Sequence, residues 1–232
     1  LHSFLCFQAN KNAAPIDVTG LYMKLEAVDY QASNAKELFV QSLRETGFGV
    51  LKNHPIQQEK VQAIYDTWQQ FFDSEDKNNY VYNKGTQDGF FPQSVSEVAK
   101  GFKKKDIKEY YHFYPWGQCP DALRAQLQDY YDSANALAAE LLGWIEEYSP
   151  TDVSDKYSAP LSSMIENSDQ TLLRVLHYPP LSGEEEPEAI RAAAHEDINL
   201  ITILPASNEP GLQGKGTADE WLDVHSTSGT LS

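Results

Sequence analysis

The chain has 232 residues, enough for one well-packed domain, and its 41% hydrophobic, 12% aromatic and 22% charged residues exclude disorder, collagen and coiled coil. Asp plus Glu number 34 against 18 Lys plus Arg, a formal net charge of −16 that repels phosphate backbones and anionic lipid. Neither nucleic acid nor a membrane surface is expected as a partner.

Cys6 and Cys119 cannot build a disulfide framework, and neither lies in a C-x-x-C pair, which fits a reducing cytoplasm. No run approaches eighteen apolar residues: the stretch from Ala134 to Ile145 is interrupted by Asn135 and Glu140. The chain opens at Leu1 rather than Met and closes on Leu231 and Ser232 without tail composition, so both ends read as cut.

Residues 1–22 show no clear period and read as an N-terminal extension, unassigned, before a start at Met23. Ser33 and Asn34 suit a helix N-cap; Leu38, Phe39 and Leu43 then recur at helical spacing until Gly47 stops the helix, and a strand over Phe48 to Lys52 follows. After Pro55, Val61, Ile64, Tyr65, Trp68, Phe71 and Phe72 mark one face of an amphipathic helix, an aromatic stripe expected in the core. From Asp73 to Gly117 the pattern is irregular, and Lys103, Lys104 and Lys105 read as a solvated turn.

Pro120 opens the longest helix, striped by Leu123, Leu127, Tyr130, Ala134, Leu137, Leu141 and Ile145 and ended by Ser149 and Pro150. Beyond Pro160 the character changes to short strands. These are Thr171 to Tyr178, then Ala192 to Leu204 after the acidic loop Glu184 to Glu188, then Trp221 to Val224, with turns at Pro210-Gly211 and Gly229. Helices followed by closely spaced strands predict an α+β fold with an all-β core at the C-terminal end.

His195-Glu196-Asp197 is where residue type and spacing agree on a chemistry. In a strand, residues i and i+2 share a face, so the His195 imidazole and Asp197 carboxylate converge while Glu196 points away. One nitrogen and one oxygen ligand make two-thirds of a facial triad, the 2-His-1-carboxylate set of non-haem Fe(II) that leaves positions open for oxygen and substrate. Asn199 shares that face and is the candidate polar wall of the pocket.

The run His195 to Leu204, then Pro210-Gly211-Leu212-Gln213 and Trp221-Leu222-Asp223-Val224, resembles the iron-binding strand and following hairpin of the isopenicillin N synthase-like, 2-oxoglutarate/Fe(II)-dependent oxygenases. Leu173-Arg174-Val175-Leu176-His177-Tyr178-Pro179-Pro180 resembles the preceding strand, and Gly47 to Ile56 is similar to the family's G-F-F…N-H-G-I segment, with Pro55 in place of Gly. The likeness covers Met23 to Gly229 in the family's order.

The resemblance implies a double-stranded β-helix, or jelly-roll, core flanked by N-terminal helices, with the core incomplete at the C-terminus. On that reading residues 23–232 form a single oxygenase domain, mainly helical over 23–160 and carrying the first core strands over 161–232. His195 and Asp197 take the metal-ligand positions, and Tyr178 the position that contacts the 2-oxoglutarate carboxylate; Leu176 stands where an Asn is frequent. Fe(II), 2-oxoglutarate and O2 are the implied cofactor and cosubstrates. The implied reaction couples decarboxylation of the 2-oxo acid to succinate with oxidation, most often hydroxylation, of a small organic molecule.

The family's second histidine and its R-x-S carboxylate clamp have no counterpart before Ser232, so the chain alone is expected to be inactive, with His225 an unfavourable substitute ligand. Two alternatives stay open: an iron oxidase that works without 2-oxoglutarate, as isopenicillin N synthase does, and a non-catalytic binding module of the same fold. Among the other polar residues, His177 is expected to pack on the face opposite Tyr178, His54 to make a turn contact, and His112 to pack in the core rather than line the substrate mouth. Arg191 is expected to pair with the Glu184 to Glu188 loop, and Glu196 to be a surface or supporting group.

Overall fold

The computed structural model describes residues 4–10, 25–95, 106–183, 190–195, 197, 199–206, 211–215, 221–224 and 230–231. In chain order these form β1 (Phe4–Asn10), β2 (Val28–Asp29), α1 (Ala35–Thr46), β3 (Leu51–Lys52), α2 (Gln58–Asp73), β4 (Gly89–Phe91), β5 (Glu109–Phe113), α3 (Asp121–Glu147), α4 (Thr151–Ser154), β6 (Leu172–Tyr178), β7 (Thr202–Ile203), β8 (Gln213–Lys215), β9 (Trp221–Asp223) and β10 (Thr230–Leu231). The expected α+β mixture is present, and the described strands do not close into a barrel. No described helix is long and apolar enough to cross a membrane.

The helices follow their sequence signals closely. Gly47 ends α1 in the left-handed conformation (φ 80°), its N–H donating to the Leu43 carbonyl, as a C-terminal glycine does. The buried stripe of α1 runs through Ala35 and Phe39, with Leu43 partly buried, and Leu38 falls off it at 41% exposure. All six residues of the expected α2 stripe are buried. In α3 burial is broader than one stripe: Tyr131, Ala138, Leu142 and Trp144 join Leu127, Tyr130, Ala134, Leu137 and Leu141, because this helix touches both α1 and α2. Trp144 stacks on Tyr30 at 5.4 Å between ring centroids and meets Phe39 edge-on at 5.8 Å.

Five strands form the main sheet in the order β4-β5-β6-β1-β7. β4, β5 and β6 pair antiparallel, while β1 runs parallel to both β6 and β7. The expected long strand from Ala192 to Leu204 is therefore corrected to two residues, Thr202 and Ile203, which lie opposite Phe4 and Leu5. Residues 191–201, where described, adopt no ladder, so their backbone groups turn to local and side-chain partners instead. The expected Phe48 to Lys52 strand likewise shortens to Leu51–Lys52, in a second sheet of order β10-β3-β2, and β8 and β9 form a separate antiparallel hairpin.

One sheet face presents Phe90, Tyr111, Phe113, Leu173 and Val175 to the helices, and with them forms the large core. Trp68 sits at its centre, 4.9 Å from both Phe71 and Tyr111. Gly49 lies against this core, where an added Cβ would fall 2.3 Å from Phe39 Cε2. Phe39 is only 2% exposed and cannot yield, so Gly49→Ala is expected to cost about 1–3 kcal/mol, read as a lower urea midpoint. Cys119, just before α3, is buried at 6% exposure, and burial pushes its thiol up to about 12.

Candidate functional site

Strand parity builds the opposite face of the sheet. On β6, Leu173, Val175 and His177 point to the helices, so Arg174, Leu176 and Tyr178 point away, beside Tyr110 and His112 of β5 and Phe91 of β4. Phe91, Tyr110, Leu176 and Tyr178 pack as a separate apolar cluster, joined by Tyr82. Phe91 stacks on Tyr110 at 4.7 Å, and the Arg174 guanidinium lies over the Tyr110 ring at 4.9 Å.

His112 is held on two sides. Its Nδ1–H donates to the Gln87 carbonyl at 3.0 Å, and its Nε2 accepts from Arg174 Nε at 2.9 Å. Burial first, and the adjacent Arg174 charge second, press its pKa down to about 3, so the ring is neutral in a fixed tautomer. It thus orients Arg174 as well as packing against Phe91. His177, as expected, faces the other way: it stacks on Phe72 at 5.1 Å and bonds Glu109 Oε1 at 2.8 Å. In the turn before His54, Asn53 takes a positive φ of 57° and donates to Asp29.

His195 and Asp197 do converge, though on an irregular segment rather than through strand alternation. His195 Nδ1–H donates to the Ala193 carbonyl at 2.8 Å, which directs Nε2 to within 3.5 Å of Asp197 Oδ1. The other carboxylate oxygen accepts from Thr202 Oγ1 at 2.8 Å, and Thr202 in turn accepts from Asn199 Nδ2 at 2.7 Å. Asn199 therefore reaches the site through Thr202, a residue the sequence reading did not single out. The carboxyl of Asp197 is held below its ordinary range, chiefly by His195, with Thr202 and the Arg174 charge assisting; the His195 imidazole is raised by Asp197 and then by the Ala193 carbonyl.

This donor set suits a divalent metal. Ligand bonds of about 2.1 Å at right angles separate two donor atoms by roughly 3 Å, close to the spacing found, and a histidine whose Nδ1–H is engaged by a carbonyl offers its Nε2 lone pair. Among the described residues no third His, Cys, Asp or Glu completes a cluster. His225, Glu196, the basic triplet and the Glu184 to Glu188 loop to which Arg191 was assigned lie outside the described residues.

A family model for the N-terminal region of non-haem dioxygenases, described from morphine synthesis, matches residues 16–132. A Shewanella oneidensis protein provisionally assigned as an oxygenase is 60% identical in sequence, and its crystal structure superposes with a TM-score of 0.81 over 90% of this chain and 74% of that one. The chain belongs to the 2-oxoglutarate/Fe(II)-dependent dioxygenases. The family's cofactor and cosubstrates are Fe(II), 2-oxoglutarate and O2.

Among curated relatives of this dioxygenase chain, the proline hydroxylase buaE of Petromyces alliaceus is 28% identical over 220 residues, covering 82% of this chain and 67% of its own. At 22% identity, the fold is shared with a full-length Neurospora crassa protein solved in complex with alpha-KG (TM-score 0.68; 88% of this chain, 70% of that one). Across eight curated relatives the chain spans 56% to 75% of their length.

Proposed function

We propose that this chain supplies the helical scaffold and the iron ligands His195 and Asp197 of a 2-oxoglutarate-dependent dioxygenase that oxidises, most often by hydroxylation, a small organic molecule. Residues 23–232 are the oxygenase domain on this reading, with β1 from the segment before them entering its main sheet, and a reducing cytoplasm suits the free thiol of Cys119. The observation that carries the proposal is the engaged Nδ1–H of His195, which leaves Nε2 facing Asp197 Oδ1.

His195 and Asp197 would hold the iron. The chemistry that Fe(II) would supply there is activation of oxygen together with the 2-oxo acid. Thr202 assists His195 in keeping Asp197 ionised and engages Oδ2, leaving Oδ1 toward His195, while Asn199 orients the Thr202 hydroxyl. Tyr178, on the same face as Arg174, is the cosubstrate contact, and Leu176 beside it supplies apolar wall where a polar contact is otherwise frequent. The Phe91, Tyr110 and Leu176 surface excludes water from the substrate, with the Arg174 charge at its border.

Oxygen consumption by the enzyme containing this chain, measured with and without 2-oxoglutarate, tests the assignment. Uptake is expected only when the 2-oxo acid is present, with succinate formed in equal amount. Equal uptake without it would favour the oxidase mode.

A further inference from the structure

We propose that Asp106 is a positioning residue for His195, acting through the peptide of Ala193. Asp106 and Lys108 form a buried ion pair, 3% and 9% exposed, with Nζ 2.8 Å from Oδ2. The second carboxylate oxygen, Oδ1, accepts the Ala193 N–H at 3.1 Å. The carbonyl of that same residue receives His195 Nδ1–H. One step away, the Ile107 N–H donates to the Ile190 carbonyl at 2.9 Å, so the lead into β5 grips the segment before the histidine at two points.

Residues 191–195 have no strand partner to fix them, and this contact does the work a ladder would do. A buried ion pair is seldom more stable than apolar side chains of the same volume. Asp106 and Lys108 are therefore poorly explained by stability alone, whereas a carboxylate splitting its two oxygens between a lysine and a backbone amide sets the orientation of a peptide. Lys108 holds Oδ2, leaving Oδ1 aimed at Ala193, and the Ala193 carbonyl then fixes the imidazole tautomer that exposes Nε2.

This inference rests on His195 being a ligand, and the test separates the two. Co(II) affinity is titrated in the full chain for the parent, for Asp106→Leu/Lys108→Met, which replaces the pair with apolar groups, and for Asp106→Asn/Lys108→Met, which removes the charges but keeps an oxygen acceptor. The leucine variant is expected to fold and to bind Co(II) about 10–100-fold more weakly, and the asparagine variant to bind close to the parent. Nitrogen NMR of the metal-free chain should show the Nδ1–H tautomer of His195 in the parent and asparagine variant, and a tautomer mixture in the leucine variant. Parental affinity in the leucine variant, or equal weakening in both doubles, overturns the positioning role. Undiminished Co(II) affinity in His195→Ala instead overturns the ligand assignment, and this proposal with it.

Discussion

Replacing His195 with alanine is expected to weaken Fe(II) or Co(II) binding by roughly a hundredfold or more, and Asp197→Ala to do the same. The loss is large because the two side chains contribute different things. On the proposed assignment, His195 would offer a neutral nitrogen, turned toward Asp197 by its bond to Ala193, and Asp197 would offer the negative charge that compensates the cation. Asp197→Asn keeps an oxygen for the Thr202 hydroxyl but removes that charge, so it should fall between the parent and the alanine variant. Both side chains are about half exposed, at 56% and 50%, so these substitutions should leave the thermal midpoint nearly unchanged. Competition with a chelator of known affinity provides the measurement. Parental affinity in either alanine variant would remove that residue from the site.

The second large effect is acid sensitivity from His112. The ring's pKa falls from an ordinary 6.5 to about 3 in the fold, so the unfolded chain takes up a proton that the folded chain refuses. Stability is full above about 6.5 and declines as pH drops through the window toward 3. At pH 4.5 the loss attributable to this one residue is about 2–3 kcal/mol. Carboxylates titrate in the lower part of the same window, so the informative comparison is with His112→Gln, whose amide can still donate to the Gln87 carbonyl and accept from Arg174. Urea midpoints of the two proteins should converge as pH is lowered from 7 to 4.5, the parent losing more. Parallel curves would show that the ring is not held neutral.

What the sequence disclosed depended on how one-sided each element's environment is. α2 has one buried face and one wet face, so its stripe was readable to the residue. β6 was readable as a strand, and parity alone placed His177 opposite Tyr178. β5 was missed because Tyr110, Tyr111, His112 and Phe113 are buried on both faces, which erases the alternation that marks a strand. β1 takes an interior place between two parallel neighbours, a position in which strands carry no clean alternation to read.

In the candidate site the His195 and Asp197 pair was legible and its support was not. His195 and Asp197 carry a spacing that points to metal chemistry, yet they meet on irregular backbone. The Ile- and Leu-rich run around them reads as one strand although, among its described residues, only Thr202 and Ile203 pair. Asp106, some ninety positions upstream, has no local sequence signal that would tie it to Ala193. Such a contact is created by the return of the chain, and period or propensity cannot contain it.

The buried thiol of Cys119 has a consequence for the durability of such a protein. Thiols are oxidised and alkylated as thiolates, and a pKa pushed to about 12 leaves roughly one part in a hundred thousand in that form at neutral pH. With the sulfur also closed off from solvent, the fold can carry oxidising chemistry on one face of its sheet while keeping this cysteine inert in its interior.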